Sequence, residues 1–312
     1  MKKVNVVVLD DWESLFQQSL LEDEDLASFE ITVYRESLRR EALLAALKEA
    51  EILVLFRERT AIDKEILSAC PSLKRIICTG AQTRNLDTVA AQSMGIEVSY
   101  AKGGNSKEST CEITWLLLVA AFKRLASLAL RPESRAWRGE EIFIPRKLKN
   151  KTLGLIGLGH IGQRVASIAQ AFGMKVIAWS PNLTVERAEP HGVAYVTKEE
   201  LLTQADVISL HMVLSERTRY LLKAEDFAQM KANVCLVNTA RAELIHQASL
   251  LEFLRANPEA TYGVDVFEEE PLPSDSPFYE LHNVVMTGHW GFICDEVYEG
   301  FAREVKEQLL GY

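Results

Sequence analysis

The chain has 312 residues, a length that suggests two domains of ordinary size. Hydrophobic residues make up 48% and charged residues 25%, as in a globular protein able to bury substantial cores. The net charge of −9, with no basic block or stripe to offset it, argues against a nucleic-acid partner.

No apolar run approaches a membrane span, and the N-terminus goes directly into a strand, so neither membrane insertion nor a secretory segment is expected. The five cysteines (Cys70, Cys78, Cys111, Cys235, Cys294) show no CxxC spacing. Such a set reads as reduced, mostly buried thiols of a cytoplasmic protein; neither a metal site nor a disulfide framework is expected.

From the N-terminus, Val4–Leu9 reads as a strand, followed by a helix-like stretch from Trp12 and a second strand near Ile31–Val33. Ser37–Ala50, rich in Ala, Leu, Glu and Lys, reads as a helix, and Ile52–Phe56 as a third strand. Asp63–Ala69 is a short helix ended by Pro71, Arg75–Cys78 a fourth strand, Leu86–Met94 a helix closed by Gly95, and Ile96–Ser99 a fifth strand. Strands alternating with helices imply a parallel, doubly wound sheet. This half has no GxGxxG and is not expected to hold a dinucleotide. The loop Ala101–Asn105 breaks the alternation. Glu108–Leu130 then reads as one long helix, apolar on nearly every side through Trp115, Leu116, Leu117, Leu118, Val119 and Phe122, the pattern of a helix buried at a domain junction. Residues 131–149 are polar and irregular.

The second half opens with KTLGLIGLGHIGQRVASIAQAFG, Lys151–Gly173. An apolar strand, Leu153–Ile156, leads into Gly157-Leu158-Gly159-His160-Ile161-Gly162, and a helical pattern follows until Gly173. In that order each glycine has a task. Gly157 makes the tight turn, Gly159 lets a pyrophosphate approach the backbone, and Gly162 permits close helix–strand packing. The helix N-terminus offers free N–H groups to the phosphates. Further strands are read at Lys175–Trp179, Asp206–Leu210, Val234–Val237, Thr261–Val266 and Val284–Thr287, with Val193–Val196 and Lys198–Gln204 as two further segments between the first two. Helical stretches are read at Thr184–Ala188, Lys223–Met230, His246–Ala256 and Glu296–Leu310, the last expected to return to the first half. The predicted fold is α/β: two doubly wound Rossmann-like domains with parallel sheets, the first discontinuous. Residues 1–102 plus 291–312 form the expected substrate (catalytic) domain and 103–290 the dinucleotide-binding domain.

Ligands in open α/β sheets bind outside the carboxyl ends of the strands. Asn238-Thr239-Ala240-Arg241, Glu268-Glu269-Glu270-Pro271 and Gly288-His289-Trp290-Gly291 each follow a strand of the second half. An arginine, a carboxylate and a histidine thus reach one sheet edge, a set that suits reduction of a carbonyl beside a carboxylate. Arg241 can grip the carboxylate and polarise the carbonyl with its planar fork. His289 can protonate the developing alkoxide, and Glu270 can orient the imidazole and favour its charged form.

The stretches GLGHIG, ADVISLH, VNTAR, DVFEEEPLP and TGHWG resemble the D-isomer-specific 2-hydroxyacid dehydrogenase family, with weaker similarity at RERT, CTGAQTRNLD and EITW. The resemblance implies Arg241 for substrate binding, Glu270 for tuning the histidine and His289 as proton donor and acceptor. It implies His160 and Ile161 at the pyrophosphate, Thr239 and Ala240 lining the cofactor, Asp265 at the nicotinamide amide, and Gly291 near the cofactor beside His289. The backbone amides of Ala81, Gln82 and Thr83 would hold the substrate carboxylate.

The chain departs from the family pattern at several positions. Gly288 stands where proline is usual, which is expected to loosen that loop; Ala242 replaces glycine, and His246 replaces aspartate. At Trp179-Ser180-Pro181-Asn182 the acid that NAD-specific members place against the ribose is missing, and Ser180 occupies its position. Use of both NAD and NADP is therefore expected, with NADPH at least as good as NADH and Arg187 within reach of a 2′-phosphate if its loop folds back. The expected protein is a homodimeric oxidoreductase that transfers a hydride between NAD(P)H and a small 2-oxo acid such as glyoxylate or hydroxypyruvate, giving a D-2-hydroxy acid. Two alternatives stand beside it: an NAD-loaded binding or sensor protein of the same fold, and a 3-phosphoglycerate dehydrogenase. No added regulatory domain is expected.

Overall fold

The computed structural model describes residues 2–80, 83–125 and 144–312. The helix read over Glu108–Leu130 is shorter: it spans Lys107–Phe122 and is closed at Lys123, ahead of Arg124 in the left-handed region. Residues 126–130, most of the irregular stretch 131–149, and Ala81 and Gln82 lie outside the described residues. The chain divides into two compact units, Met1–Asn105 with Ile293–Tyr312, and Ser106–Phe292.

The first unit is built on β1 (Val4–Leu9), β2 (Phe29–Val33), β3 (Ile52–Leu55), β4 (Arg75–Thr79) and β5 (Glu97–Ala101). They form one parallel sheet in the order β2-β1-β3-β4-β5. The central β3 is the uninterrupted apolar run ILVL, buried at every position, as a parallel strand covered on both faces requires. Short helices are started by local caps: Asp63 accepts from Ile66 N ahead of Lys64–Ser68, and Asp87 from Ala90 N ahead of Thr88–Ser93. The helix expected over Ser37–Ala50 spans only Arg40–Leu47. Its first three residues are lost to a tertiary bond, because the Ser37 hydroxyl donates to Asp10 Oδ1 at 2.7 Å, and Arg39 sits extended at the N-cap. The helix Asp295–Leu310 completes this unit. Its Phe301 packs edge-on against Phe56 of the β3 exit, and Arg75 Nη1 donates to the Gln308 carbonyl.

The second unit holds β6 (Thr152–Ile156), β7 (Lys175–Trp179), β8 (Ala194–Tyr195), β9 (Val207–Leu210), β10 (Cys235–Asn238), β11 (Thr261–Val264) and β12 (Val284–Met286). All pair in parallel, in the order β12-β11-β10-β9-β6-β7-β8. The winding direction reverses at β6, whose neighbours are β7 on one side and β9 on the other. The helix Lys107–Phe122 lays Trp115, Leu118 and Phe122 into the core that Val165, Ala166 and Ala169 of the helix His160–Ala171 share with Leu153 and Leu155. Leu116, one of the positions that made this helix read as apolar all round, is 54% exposed. Among the described residues no helix is long and apolar enough to cross a membrane. All five cysteines are free; four are buried and Cys294 is half-buried.

The entry to β6 is fixed by Asp206, which accepts from Thr152 N and from Lys231 Nζ, both at 2.9 Å. Burial pushes its carboxyl up, but the Thr152 amide and the Lys231 ammonium outweigh that and hold its pKa below the ordinary value. A depressed folded-state pKa contributes stability that is present above the unfolded carboxylate's value of about 3.9 and is lost as pH falls through the folded one. Asp206→Asn is therefore expected to cost roughly 1.5–3 kcal/mol near neutral pH. Urea titrations of both proteins should show this gap closing as pH drops below about 4; a gap independent of pH would mean that the charge contributes nothing.

Candidate active site

Gly157 leaves β6 at φ +104°, a left-handed conformation, and a Cβ there would stand 2.5 Å from the His211 carbonyl at the β9 exit. A Cβ on Gly162 would collide with the Gly157 carbonyl. Gly159 differs: as the N-cap of His160–Ala171 it has nothing within 4 Å of its Cβ position. The helical ladder begins with Gln163 N donating to the Gly159 carbonyl, so the amides of His160, Ile161 and Gly162 have no intrahelical acceptor. A close turn, an open approach and unused N–H groups at the reversal of the winding fit a dinucleotide pyrophosphate. Beside the turn, Ser209 Oγ lies 2.9 Å from His211 Nε2, and burial pushes this imidazole down to about 4, so it stays neutral.

The exits of β10, β11 and β12 carry the three polar residues read from the sequence. After β10, the buried Asn238 shapes the turn: its Oδ1 accepts from Ala240 N at 3.0 Å and its Nδ2 donates to the Arg241 carbonyl at 2.9 Å. Arg241, half-buried, turns Nη1 onto the Ala240 carbonyl at 2.7 Å. After β11, Glu270 Oε1 accepts from Phe267 N at 2.8 Å, and the bond from Glu270 to Pro271 is cis. After β12 comes His289, whose Nδ1 lies 2.6 Å from Glu270 Oε2. The two side chains are 28% and 31% exposed, so the pair is reachable from solvent. With Nδ1 committed to the carboxylate, Nε2 is the imidazole nitrogen available to a ligand.

His289 holds φ +59°, a left-handed conformation that costs a non-glycine residue about 1–2 kcal/mol. Asp265 offsets this. Its side chain is fully buried; Oδ1 accepts from the Thr287 hydroxyl at 2.6 Å and from Trp290 N at 2.7 Å, and Oδ2 from Gly291 N at 2.7 Å. Bonds to a charged acceptor contribute roughly 1.5–3 kcal/mol each, enough to outweigh the strain. The resemblance places Asp265 at a nicotinamide amide; the partners it has here are the residues on both sides of His289. The loosening expected from Gly288 is countered by the same bonds, and the Trp290 indole lies 3.5 Å from where a Cβ at 288 would stand.

Thr83 follows β4 in the first unit, directly after the undescribed Ala81 and Gln82. Ser180 follows β7, half-buried. Two residues passed over in the sequence also shape the site. Thr110 Oγ1 donates to the Gly291 carbonyl at 2.8 Å, and Thr114 Oγ1 pairs with Thr239 Oγ1 at 2.7 Å. The available signal was two threonines four apart, hence on one face, in the first half of a helix that turns apolar after them.

Residues 115–291 match the family model described as "D-isomer specific 2-hydroxyacid dehydrogenase, NAD binding domain". The chain is 37% identical over 273 residues to a D-3-phosphoglycerate dehydrogenase of Methanocaldococcus jannaschii, covering 87% of this chain and 51% of that protein. It thus spans about half the length of the curated phosphoglycerate dehydrogenases it matches. It is 34% identical to a glyoxylate reductase of Thermococcus litoralis, covering 88% of this chain and 83% of that one. Among solved structures, a phosphoglycerate oxidoreductase from Vibrio cholerae superposes with a TM-score of 0.87 at 33% identity, covering 99% of both chains. The chain belongs to the D-isomer-specific 2-hydroxyacid dehydrogenase family.

Proposed function

We propose that the protein is an NAD(P)-dependent oxidoreductase that interconverts a small 2-oxo acid and the D-2-hydroxy acid, with glyoxylate or hydroxypyruvate as the substrate type. The second unit is read as the dinucleotide-binding domain and the first as the substrate domain. The observation that carries the reading is the 2.6 Å contact between His289 Nδ1 and Glu270 Oε2, one strand away from Arg241 on a sheet whose reversal point carries the glycine turn.

The nicotinamide, when bound, supplies or accepts the hydride at the substrate's C2. The chain's own residues do the rest. Arg241 binds the carboxylate and draws charge toward the carbonyl oxygen, while the amides of His160, Ile161 and Gly162 hold the dinucleotide's phosphates. In reduction, the Nε2 proton of the His289 imidazolium passes to the carbonyl oxygen as negative charge develops there, leaving a neutral imidazole and a hydroxyl. In oxidation the same nitrogen takes the hydroxyl proton back. Glu270 holds the ring by Nδ1 and so directs Nε2 toward the substrate. Free, mostly buried thiols support a cytoplasmic setting, and the reading includes a homodimer, which light scattering of the purified chain checks. The phosphoglycerate dehydrogenase relatives favour a second substrate reading, 3-phosphoglycerate; a panel of that compound and short 2-oxo acids, followed at 340 nm in roughly neutral buffer, separates the two.

Arg241→Ala is expected to leave dinucleotide affinity nearly unchanged while kcat/KM falls by the equivalent of about 2–5 kcal/mol, because the substrate charge loses its partner. Near-normal kcat/KM for every 2-oxo acid tested would show that the substrate does not bind at Arg241.

His289→Ala should abolish turnover, and Glu270→Gln, which deprives the ring of its carboxylate partner at Nδ1, should lower kcat by about tenfold or more while leaving dinucleotide affinity unchanged. An unchanged kcat in Glu270→Gln would remove Glu270 from this role.

A further inference from the structure

The face of the helix Lys107–Phe122 that carries Thr110 and Thr114 meets two strand exits at once. Thr114 Oγ1 lies 2.7 Å from Thr239 Oγ1, on the loop that leads to Arg241, and Thr110 Oγ1 lies 2.8 Å from the Gly291 carbonyl, on the loop that carries His289. Each hydroxyl also reaches back into its own helix. Thr114 Oγ1 stands 2.7 Å from the Thr110 carbonyl, and Thr110 Oγ1 stands 2.8 Å from the Ser106 carbonyl.

A hydroxyl has one proton and gives it to one acceptor. The Ser106 carbonyl already accepts from Thr110 N at 2.9 Å, whereas among the described residues the buried Gly291 has no other donor to its carbonyl. The Thr110 proton therefore belongs to Gly291, where it satisfies a group that would otherwise be bare. Thr114 faces a carbonyl, which can only accept, and a hydroxyl, which can donate. It gives its proton to the Thr110 carbonyl and accepts that of Thr239. The donors thus run one way, from Thr239 to Thr114 to the Thr110 carbonyl, and from the Thr110 hydroxyl to Gly291. Thr114 and Thr239 are buried, so water does not compete for their bond.

Arg241 and His289 follow β10 and β12, which β11 separates in the sheet. The helix bridges that gap. Gly263 of β11 lets it lie close, since a Cβ there would stand 3.0 Å from the Leu117 carbonyl. Gly291 is wedged in turn: a Cβ there would stand 3.0 Å from Asp265 Oδ2 and 3.5 Å from Thr110 Cγ2.

We propose that Thr110 and Thr114 are positioning residues of the reaction, setting the spacing between the guanidinium that holds the substrate and the imidazole that moves its proton. The inference rests on the roles given above to Arg241 and His289. Arg241 anchors the substrate's carboxylate while His289 must reach the oxygen on the adjacent carbon. An error in the spacing of the two loops is then an error in the reacting geometry, where a displacement of about 1 Å can cost on the order of a hundredfold in rate.

The test compares variants of the full chain that lose a hydroxyl with one that keeps it, using the best 2-oxo or 2-hydroxy acid substrate and measuring dinucleotide affinity separately. Thr110→Val is expected to lower kcat by roughly tenfold or more with dinucleotide affinity unchanged, and Thr110→Ser to stay within about twofold of the unaltered protein. Thr114→Val, which acts on the Arg241 loop, should raise KM more than it lowers kcat. The double variant should lose less than the product of the two single effects, as groups of one network do. If Thr110→Val keeps its kcat, even with a lowered melting temperature, or if Thr110→Ser falls as far as Thr110→Val, the inference is wrong while the roles of Arg241 and His289 stand. Should Thr110→Val not fold, Thr114→Val decides, and unchanged kcat and KM there overturn the inference. If the unaltered protein turns over no such acid, the reading of the site fails, and this inference with it.

Discussion

A single buried carboxylate governs the geometry of the candidate site. Asp265 gathers the Thr287 hydroxyl and the amides of Trp290 and Gly291, fixing the chain on both sides of His289. Without those bonds nothing local would keep a histidine in the left-handed region, because a β-carbon there is crowded by the following carbonyl. The ring's direction follows from that backbone choice, and the contact with Glu270 follows from the ring's direction. Thr110 adds a tether from the helix Lys107–Phe122 to the Gly291 carbonyl, so the loop is anchored to the sheet on one side and to a packed helix on the other.

The second constraint is parallel pairing. Because β10, β11 and β12 are adjacent and parallel, their exits share one edge, and residues far apart in sequence become neighbours with no local signal. The glycine turn lies at the same edge, where β6 separates β7 from β9. Its glycines serve different ends: Gly157 and Gly162 are small because backbone stands in the way, Gly159 because open space is left beside it.

Much of this was legible in the sequence, for identifiable reasons. Lys175–Trp179 and Lys198–Gln204 have the limits their patterns predict, the latter because Thr197 and Glu200 form a complete capping box. The pairing of Glu270 with His289 was readable because each follows a strand of one parallel sheet. Long-range side-chain bonds were not readable. Ser37 gives up its place in a helix to reach Asp10, and Asp265 turns to the His289 loop; neither bond leaves a periodic trace in the chain. The left-handed histidine was equally hidden, since the local sequence does not disclose which residue the surroundings will force there.

The discontinuity of the first unit bears on how the protein is made. Phe56 of the β3 exit already meets Phe16 of the helix Leu15–Leu20, but finds Phe301 and Tyr298 only on the helix Asp295–Leu310, so a nascent chain holding β1 to β5 emerges with part of one side of its sheet uncovered. The second unit, Ser106–Phe292, is continuous and can finish its core during translation, while the first waits for residues added after it. Order of synthesis and order of folding are thus inverted for the two units. The interval between them is when the side of β4 and β5 that the helix Asp295–Leu310 covers is open to chaperones or to aggregation.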